Sequence, residues 1–254
     1  MIIRVPASSA NLGPGFDCFG IAWQLYNELE FTTGNSGLKI TGCDKRFRGE
    51  DNLAYKAYCA ALERYKIKPQ PLKIRFLNCD IPISRGLGSS SALLVAGVLA
   101  ANALHDLNMT QAELLSVATA LEGHPDNVAP AIFGGLTASA VEAGIPLSVR
   151  YPLSDKLYFT ALIPPFELST ELSRKALPHS VPRADAVFNV SRAALLLSAS
   201  AAGISRFCAQ LWRISSTSRT ASRSSRGLIL PAVLPINAAR KPCAFPARGQ
   251  RFCA

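Results

Sequence analysis

Apolar and polar positions follow two different periods along the first two hundred residues. Ile2–Val5 is a short apolar run that predicts a strand, and Ala22–Thr33 alternates well enough to predict a long one. Leu38–Thr41 and Leu72–Leu77 predict two more, the second rich in β-branched and aromatic side chains. Asn52–Tyr65 repeats differently: Leu53, Ala57, Ala60, Ala61 and Leu62 fall on one stripe of a helix. Ser90–Leu104 is apolar on most sides, which predicts a buried helix with Gly97 placed for close packing. Thr110 followed by Glu113 is a capping-box pattern, and an amphipathic helix runs from there to Leu121. Gly134–Val141 and Leu157–Ile163 are strand-like again. Strands precede, separate and follow the helices without a strict βαβ rhythm, so the expected class is α+β.

Beyond Ser200 the periodicity fades. Ser205–Arg226 is dense in Ser, Arg and Thr, and the apolar run Gly227–Leu234 is broken by Pro231 and followed by Pro235. Such low-complexity sequence is not expected to form a packed core. Residues 201–254 hold eight Arg, one Lys and no acid, so they carry +9 of the net +10. The remaining 18 basic and 17 acidic residues leave the first two hundred positions at +1. The basic pI of about 9.5 therefore belongs to the tail, which would meet polyanions only non-specifically. No specific nucleic-acid surface is expected elsewhere, because no basic stripe is interleaved with aromatics.

The chain has no apolar stretch of membrane-spanning length and does not open on an apolar signal segment. Cys18, Cys43, Cys59 and Cys79 are scattered singly and read as reduced packing residues of a cytoplasmic protein. Cys208, Cys243 and Cys253 lie in the tail and fit no framework.

Three segments carry candidate chemistry. In Pro82-Ile83-Ser84-Arg85-Gly86-Leu87-Gly88-Ser89-Ser90-Ser91-Ala92, a Gly- and Ser-rich turn follows a strand and runs into the Ala-rich helix. Glycines let backbone approach a ligand, and a helix start offers free N–H groups and a positive dipole end, which suits phosphate. The loop lacks the Gly-Lys-Ser/Thr of a Walker A motif, and a serine-capped helix start would use the same residues. The segment Pro6–Asp17 places Asn11 and Asp17 in a glycine-bearing loop between two strands. An amide and a carboxylate there suit a hydroxyl and an ammonium group. The third, Leu121–Pro130, holds Glu122, His124, Asp126 and Asn127 just beyond a helix, followed by Phe133-Gly134-Gly135. Taken alone, His124 reads as part of a solvated helix–strand connection.

Together the three segments, in this order and wording, closely resemble the GHMP kinase superfamily and, within it, the homoserine kinases. The resemblance covers residues 1 to about 200. It implies a two-domain fold: a ribosomal S5 domain 2-like ATP-binding domain over 1–150, and a ferredoxin-like domain that starts at 151–200 and is incomplete here. It implies ATP-dependent phosphorylation of the L-homoserine side-chain hydroxyl, a step of threonine biosynthesis, with Mg²⁺ as cofactor. Carried over by position, Pro82–Ala92 would wrap the ATP phosphates, and Ser90 and Glu122 would bind Mg²⁺. Asp17 would pair with the substrate ammonium, Asn11 would reach its hydroxyl, and His124 would line the pocket. Asp126 and Asn127 are the candidates for the catalytic step. Thr170 and Arg174 match the family's carboxylate-binding segment, a task that suits the planar fork of Arg. ATP and L-homoserine are the expected partners, with no membrane and room for a homodimer. The alternatives are another GHMP kinase acting on a different small alcohol, or a non-catalytic polyanion binder using the Arg/Ser tail.

The resemblance stops near residue 200. Members of the family carry a later His-Gln-Pro-Tyr-Arg-like segment with a second substrate-binding Arg, then a Ser-Gly-Ala-Gly-Pro-Thr-like closing loop. Residues 201–254 contain neither. Reading the third base of each codon with the first two of the next, Trp212–Ala221 can encode Glu-Asp-Lys-Leu-His-Gln-Pro-Tyr-Arg. In the same frame Phe245–Arg251 can encode Ser-Gly-Ala-Gly-Pro-Thr. Two missing motifs in the expected order and one frame point to a frameshift between about Leu195 and Gly203. Loss of these motifs predicts little or no kinase activity for the chain as written.

Overall fold

A computed structural model describes residues 1–161, 163, 180–204 and 211. The strands are β1 (Ile2–Ala10), β2 (Phe19–Thr33), β3 (Leu38–Thr41), β4 (Leu72–Cys79), β5 (Leu136–Glu142) and β6 (Ile145–Tyr151). The helices are α1 (Leu53–Arg64), α2 (Ser89–Leu104), α3 (Gln111–Glu122), α4 (Pro125–Phe133) and α5 (Arg183–Ala202). One sheet holds all six strands in the order β3-β4-β2-β5-β6, and β1 pairs along the other edge of β2. Every pairing is antiparallel except β3 with β4. A largely antiparallel sheet with helices packed against it is the α+β arrangement the pattern predicts.

The principal core lies between the sheet and α1–α4. Val5 and Ala7 of β1, Leu29 and Phe31 of β2 and Ile74 of β4 meet Tyr58 and Leu62 of α1, Val95 and Val98 of α2, and Leu115 of α3. Each fully buried Val, Leu, Ile or Phe among them contributes on the order of 1.5–3 kcal/mol. Gly97 serves close packing as expected: a Cβ there would overlap the Ala54 carbonyl of α1. A smaller cluster joins Leu12, Phe19, Ile21 and Leu136 to Leu196 and Ala199 of α5 and to Leu211.

Four elements differ from the sequence reading. β1 runs five residues past Val5 to Ala10. Its Pro6 falls where the register with β2 jumps from Pro6↔Tyr26 to Ser8↔Ala22, so the missing N–H costs no regular ladder bond. The stretch read as a connection after Glu122 contains a helix, α4, with Pro125 at its first turn and Gly134 at its C-cap. β6 also goes unread, because Pro146 disguises the alternation of Ile145, Leu147 and Val149. Conversely, none of the described residues of 157–163 is strand; Leu157 is buried after a turn closed by its N–H on the Ser154 carbonyl at 3.1 Å. Past Tyr151 the described residues contain one helix, α5, and the rest of the expected second domain lies outside them.

Candidate functional site

Loop 82–88 is pinned at both ends. The Ile81 N–H donates to Asn27 Oδ1 at 3.1 Å, and the Leu87 carbonyl accepts from the Ser8 N–H at 3.1 Å. Ile81 and Leu87 are buried in the core, and Ile83, Ser84 and Gly86 are exposed between them. Ser84 (φ 55°) and Gly86 (φ 72°) turn the backbone through the left-handed region. Gly88 (φ 65°) is the N-cap of α2 and offers no capping side chain. No serine side chain caps the first turn of α2, unlike the serine-capped start that the sequence also allows. Gly88 is also required by space: a Cβ there would overlap Ser8 Oγ and stand 3.1 Å from Asn127 Oδ1.

Glu122, the last residue of α3, reaches the start of α2. Its Oε2 accepts from Ser90 Oγ and its Oε1 from Ser91 Oγ, both at 2.8 Å. A carboxylate beside a helix N-terminus is electrostatically favoured. Gly123 (φ 91°) ends α3 in the left-handed conformation and lets the chain re-enter α4 after two residues. The capping box of Thr110 and Glu113 forms at the other end of α3 as predicted.

The start of α4 brings the remaining central residues to this corner. His124 is the N-cap and makes no side-chain capping bond. Asp126 is 3% exposed, and its Oδ1 accepts the Asn127 N–H at 2.8 Å. Asn127 Oδ1 accepts from Ser8 Oγ at 3.0 Å. Two small features let α4 press on β2. Pro130 has no N–H to give the Asp126 carbonyl, and Gly20 sets its bare Cα against that carbonyl, where a Cβ would overlap.

Asn11 and Asp17 flank the loop between β1 and β2, both with left-handed backbone (φ 58° and 53°). Asn11 Oδ1 accepts the Asp17 N–H at 2.8 Å, so the amide oxygen fixes the loop and leaves the NH₂ as the end that can serve a ligand. Cys18 follows. Burial pushes its thiol pKa up, the Ser139 backbone N–H opposes that, and the Asp126 carboxylate adds to it. Cys18 and Asp126, at the start of α4, are therefore electrostatic neighbours.

The structure thus joins Ser90 to Glu122 and, through Ser8, brings Asn127 against Gly88 at the N-cap of α2, while Asn11 and Asp17 are tied to each other. Thr170 and Arg174 lie outside the described residues. Ser8 escapes sequence reasoning altogether, and Ser91, expected within the phosphate loop, has an unforeseen partner in Glu122. Ser8, 0% exposed, looks like an ordinary strand residue but orients Asn127. Ser91, also 0% exposed, shares Glu122 with Ser90. The signal for both lies in two-residue strand and one-turn helix spacings that only the packed elements make meaningful. Among the described residues, no group of three or more His, Cys, Asp or Glu could hold a metal ion, and no helix is long and apolar enough to cross a membrane. The donor set at Glu122 is instead all oxygen, one carboxylate and two hydroxyls. That fits Mg²⁺, which completes its shell with phosphate and water.

Residues 52–135 match the family model of the GHMP kinases N terminal domain. A homoserine kinase of Clostridium botulinum (strain Eklund 17B / Type B) is 48% identical over 198 residues, 77% of this chain. The chain spans 66% of that relative's length. Among solved structures, one assigned as a homoserine kinase from Listeria monocytogenes is 36% identical with a TM-score of 0.71. The match covers 83% of this chain and 72% of that one. The homoserine kinase of Cytophaga hutchinsonii superposes with a TM-score of 0.76 at 28% identity, covering 86% of this chain and 73% of that one.

Proposed function

The chain belongs to the homoserine kinase family of the GHMP kinases, and from that membership we propose that its site binds ATP and L-homoserine and serves phosphoryl transfer from one to the other. The observation that carries this reading is the junction of α2 and α3. A glycine N-cap leaves first-turn amides open, and one carboxylate, Glu122, holds two serine hydroxyls beside them. Phosphoryl transfer depends mainly on positioning and charge neutralisation, and this corner supplies both.

In this reading the Pro82–Ala92 backbone cradles the nucleotide phosphates at the positive end of α2. Ser90 and Glu122 hold Mg²⁺, which supplies positive charge to the phosphate oxygens when bound. The Asn11 NH₂ donates to the hydroxyl oxygen of the amino acid, and the Asp17 carboxylate pairs with its ammonium group. His124 lines the pocket, and Thr170 and Arg174 take the carboxylate. Asp126 receives the hydroxyl proton while Asn127, oriented by Ser8, keeps the loop and α4 in register. Among the described residues Cys18, Cys43, Cys59 and Cys79 are free thiols, in keeping with a cytoplasmic setting.

The test is in two parts. ATP titrated into the 254-residue chain should bind, and Glu122→Gln should remove the gain in affinity that Mg²⁺ brings. In the chain restored to the second reading frame after about residue 200, ADP release should depend on L-homoserine and exceed that with mevalonate or galactose. ATP binding that is indifferent to Glu122, or a preference for another alcohol, would overturn the assignment.

A further inference from the structure

Arg85 stands between two left-handed residues, Ser84 and Gly86, three positions before the N-cap of α2. Its Nη1 is buried and has no hydrogen-bond partner. The ion pairs among the described residues join Arg4 to Glu28, Arg46 to Asp44, Lys56 to Asp51 and Arg75 to Glu30, and leave Arg85 out. The nearest acid in sequence, Asp80, is taken by Asn78 Nδ2 at 2.8 Å, and both oxygens of Glu122 are held by serines. Burying part of a guanidinium with no partner costs free energy that a folded chain normally recovers with an anion.

The sequence sharpens the point. Between Arg75 and His105 no other cationic side chain occurs. A Walker A loop meets its phosphates with a lysine as well as with amides; this loop has no lysine, and Arg85 is its one fixed positive charge. Resting on the nucleotide reading of this loop, we propose that the Arg85 guanidinium is a side-chain ligand for a phosphate group of the bound nucleoside triphosphate, taking the place a loop lysine holds in Walker A proteins. The planar fork can meet two phosphate oxygens at once, and the bound phosphate satisfies the buried Nη1.

The experiment compares the full 254-residue chain with Arg85→Met and Arg85→Lys by calorimetric titration of ATP, ADP and adenosine, together with thermal melting. Arg85→Met should melt no lower than the parent without ligand, because it removes a buried guanidinium nitrogen that has no partner while keeping the apolar stem. It should bind ATP about tenfold more weakly or worse, and adenosine as the parent does. Arg85→Lys should recover part of the ATP affinity, since it keeps the charge and loses the fork. Equal ATP affinity in parent and Arg85→Met would overturn the proposal and leave the nucleotide reading standing. Parallel loss for ATP and adenosine would also overturn it, showing that Arg85 shapes the loop rather than grips a phosphate. A parent chain that binds no ATP would remove the nucleotide reading and this proposal together.

Discussion

Ser8 Oγ donates to Asn127 Oδ1 across 3.0 Å, and the bare Cα of Gly88 closes over the pair. One hydrogen bond thereby ties β1 to α4, with the N-cap of α2 wedged against it. Gly88→Ala should break this arrangement twice. The left-handed backbone at φ 65° costs an alanine about 1–2 kcal/mol, and the new methyl overlaps the serine hydroxyl. Ser8→Ala removes only the hydrogen bond from a fully buried position, at about 1–3 kcal/mol. Thermal melting should fall for both variants, more for Gly88→Ala, and ATP titration should show the larger loss for the same one. A Gly88→Ala protein with unchanged melting and ATP affinity would contradict the wedge.

Glu122 is the second joint. Its carboxylate accepts two serine hydroxyls at 2.8 Å, one of them, Ser91, fully buried. Ser91→Ala should act on stability, because a fully buried hydroxyl and its bond to the half-buried Glu122 carboxylate are lost, at about 1–3 kcal/mol. Ser90→Ala, at the exposed hydroxyl, should cost little stability and weaken the Mg²⁺ dependence of ATP binding instead. Chemical denaturation and a Mg²⁺ titration at fixed ATP separate the two effects. Identical behaviour of the two variants in both measurements would mean that Ser90 and Ser91 do not divide structural and ligand roles.

The sequence carries much of this corner, but unevenly. β4, α2 and α3 lie close to where periodicity and capping place them, because each has a strong local signal: β-branched and aromatic content, an Ala-rich run, the pair Thr110 and Glu113. α4 is hidden because Pro125 and Pro130 look like breakers, although a first-turn proline is compatible with a helix and Pro130 is accommodated by Gly20 on a strand far away in sequence. The loop, Glu122 and Asp126 are visible as residue types in a suggestive order. Their shared location is not, because α3, Gly123 and α4 must first fold the chain back on itself. Ser8 and the orphaned nitrogen of Arg85 are legible only as burial and partners, which no spacing reports.

Cys18 offers a readout of the charge on Asp126. Burial is the main reason its thiol is harder to ionise than an ordinary cysteine, and the Asp126 carboxylate adds to the effect. A thiol with a raised pKa stays protonated to higher pH, so its alkylation should lag behind that of an exposed thiol and rise only on the alkaline side of 9.0. Asp126→Asn removes the negative neighbour and should shift the labelling profile of Cys18 toward lower pH, by less than burial alone shifts it upward. Linkage gives the matching stability trend. The raised pKa makes the folded state bind more protons than the unfolded chain, so stability is intact below the ordinary thiol value and falls as pH rises through the folded one. Cys43, Cys59 and Cys79 are raised by burial too, and Tyr55 is pushed up to about 12. Melting temperature should therefore decline as pH rises above 9.0 and on towards about 12. An unmoved Cys18 profile in Asp126→Asn would show that Asp126 is not charged beside it.

Turnover should separate the two ways of reading the tail. α5 ends at Gly203, and Leu196 and Ala199 on it cover Phe19, Ile21 and Leu136, so the helix belongs to the packed fold. Past it, the residues as written have neither the second carboxylate-binding Arg segment nor the glycine-rich closing loop that the family resemblance implies. A kinase site without them should still bind ATP, because the α2–α3 junction lies wholly within residues 82–122. It should fail to hold homoserine for transfer, since positioning supplies most of the rate in this chemistry. Homoserine-dependent ADP release should accordingly be near background for the chain as written, and should appear when the codons after about residue 200 are read in the second frame. The nucleotide sequence decides the premise: codons that do not permit His-Gln-Pro-Tyr-Arg within Trp212–Ala221 and Ser-Gly-Ala-Gly-Pro-Thr within Phe245–Arg251 would end the frameshift account. Brisk turnover by the 254-residue chain itself would show that loop 82–92, Glu122 and the start of α4 suffice without those two motifs.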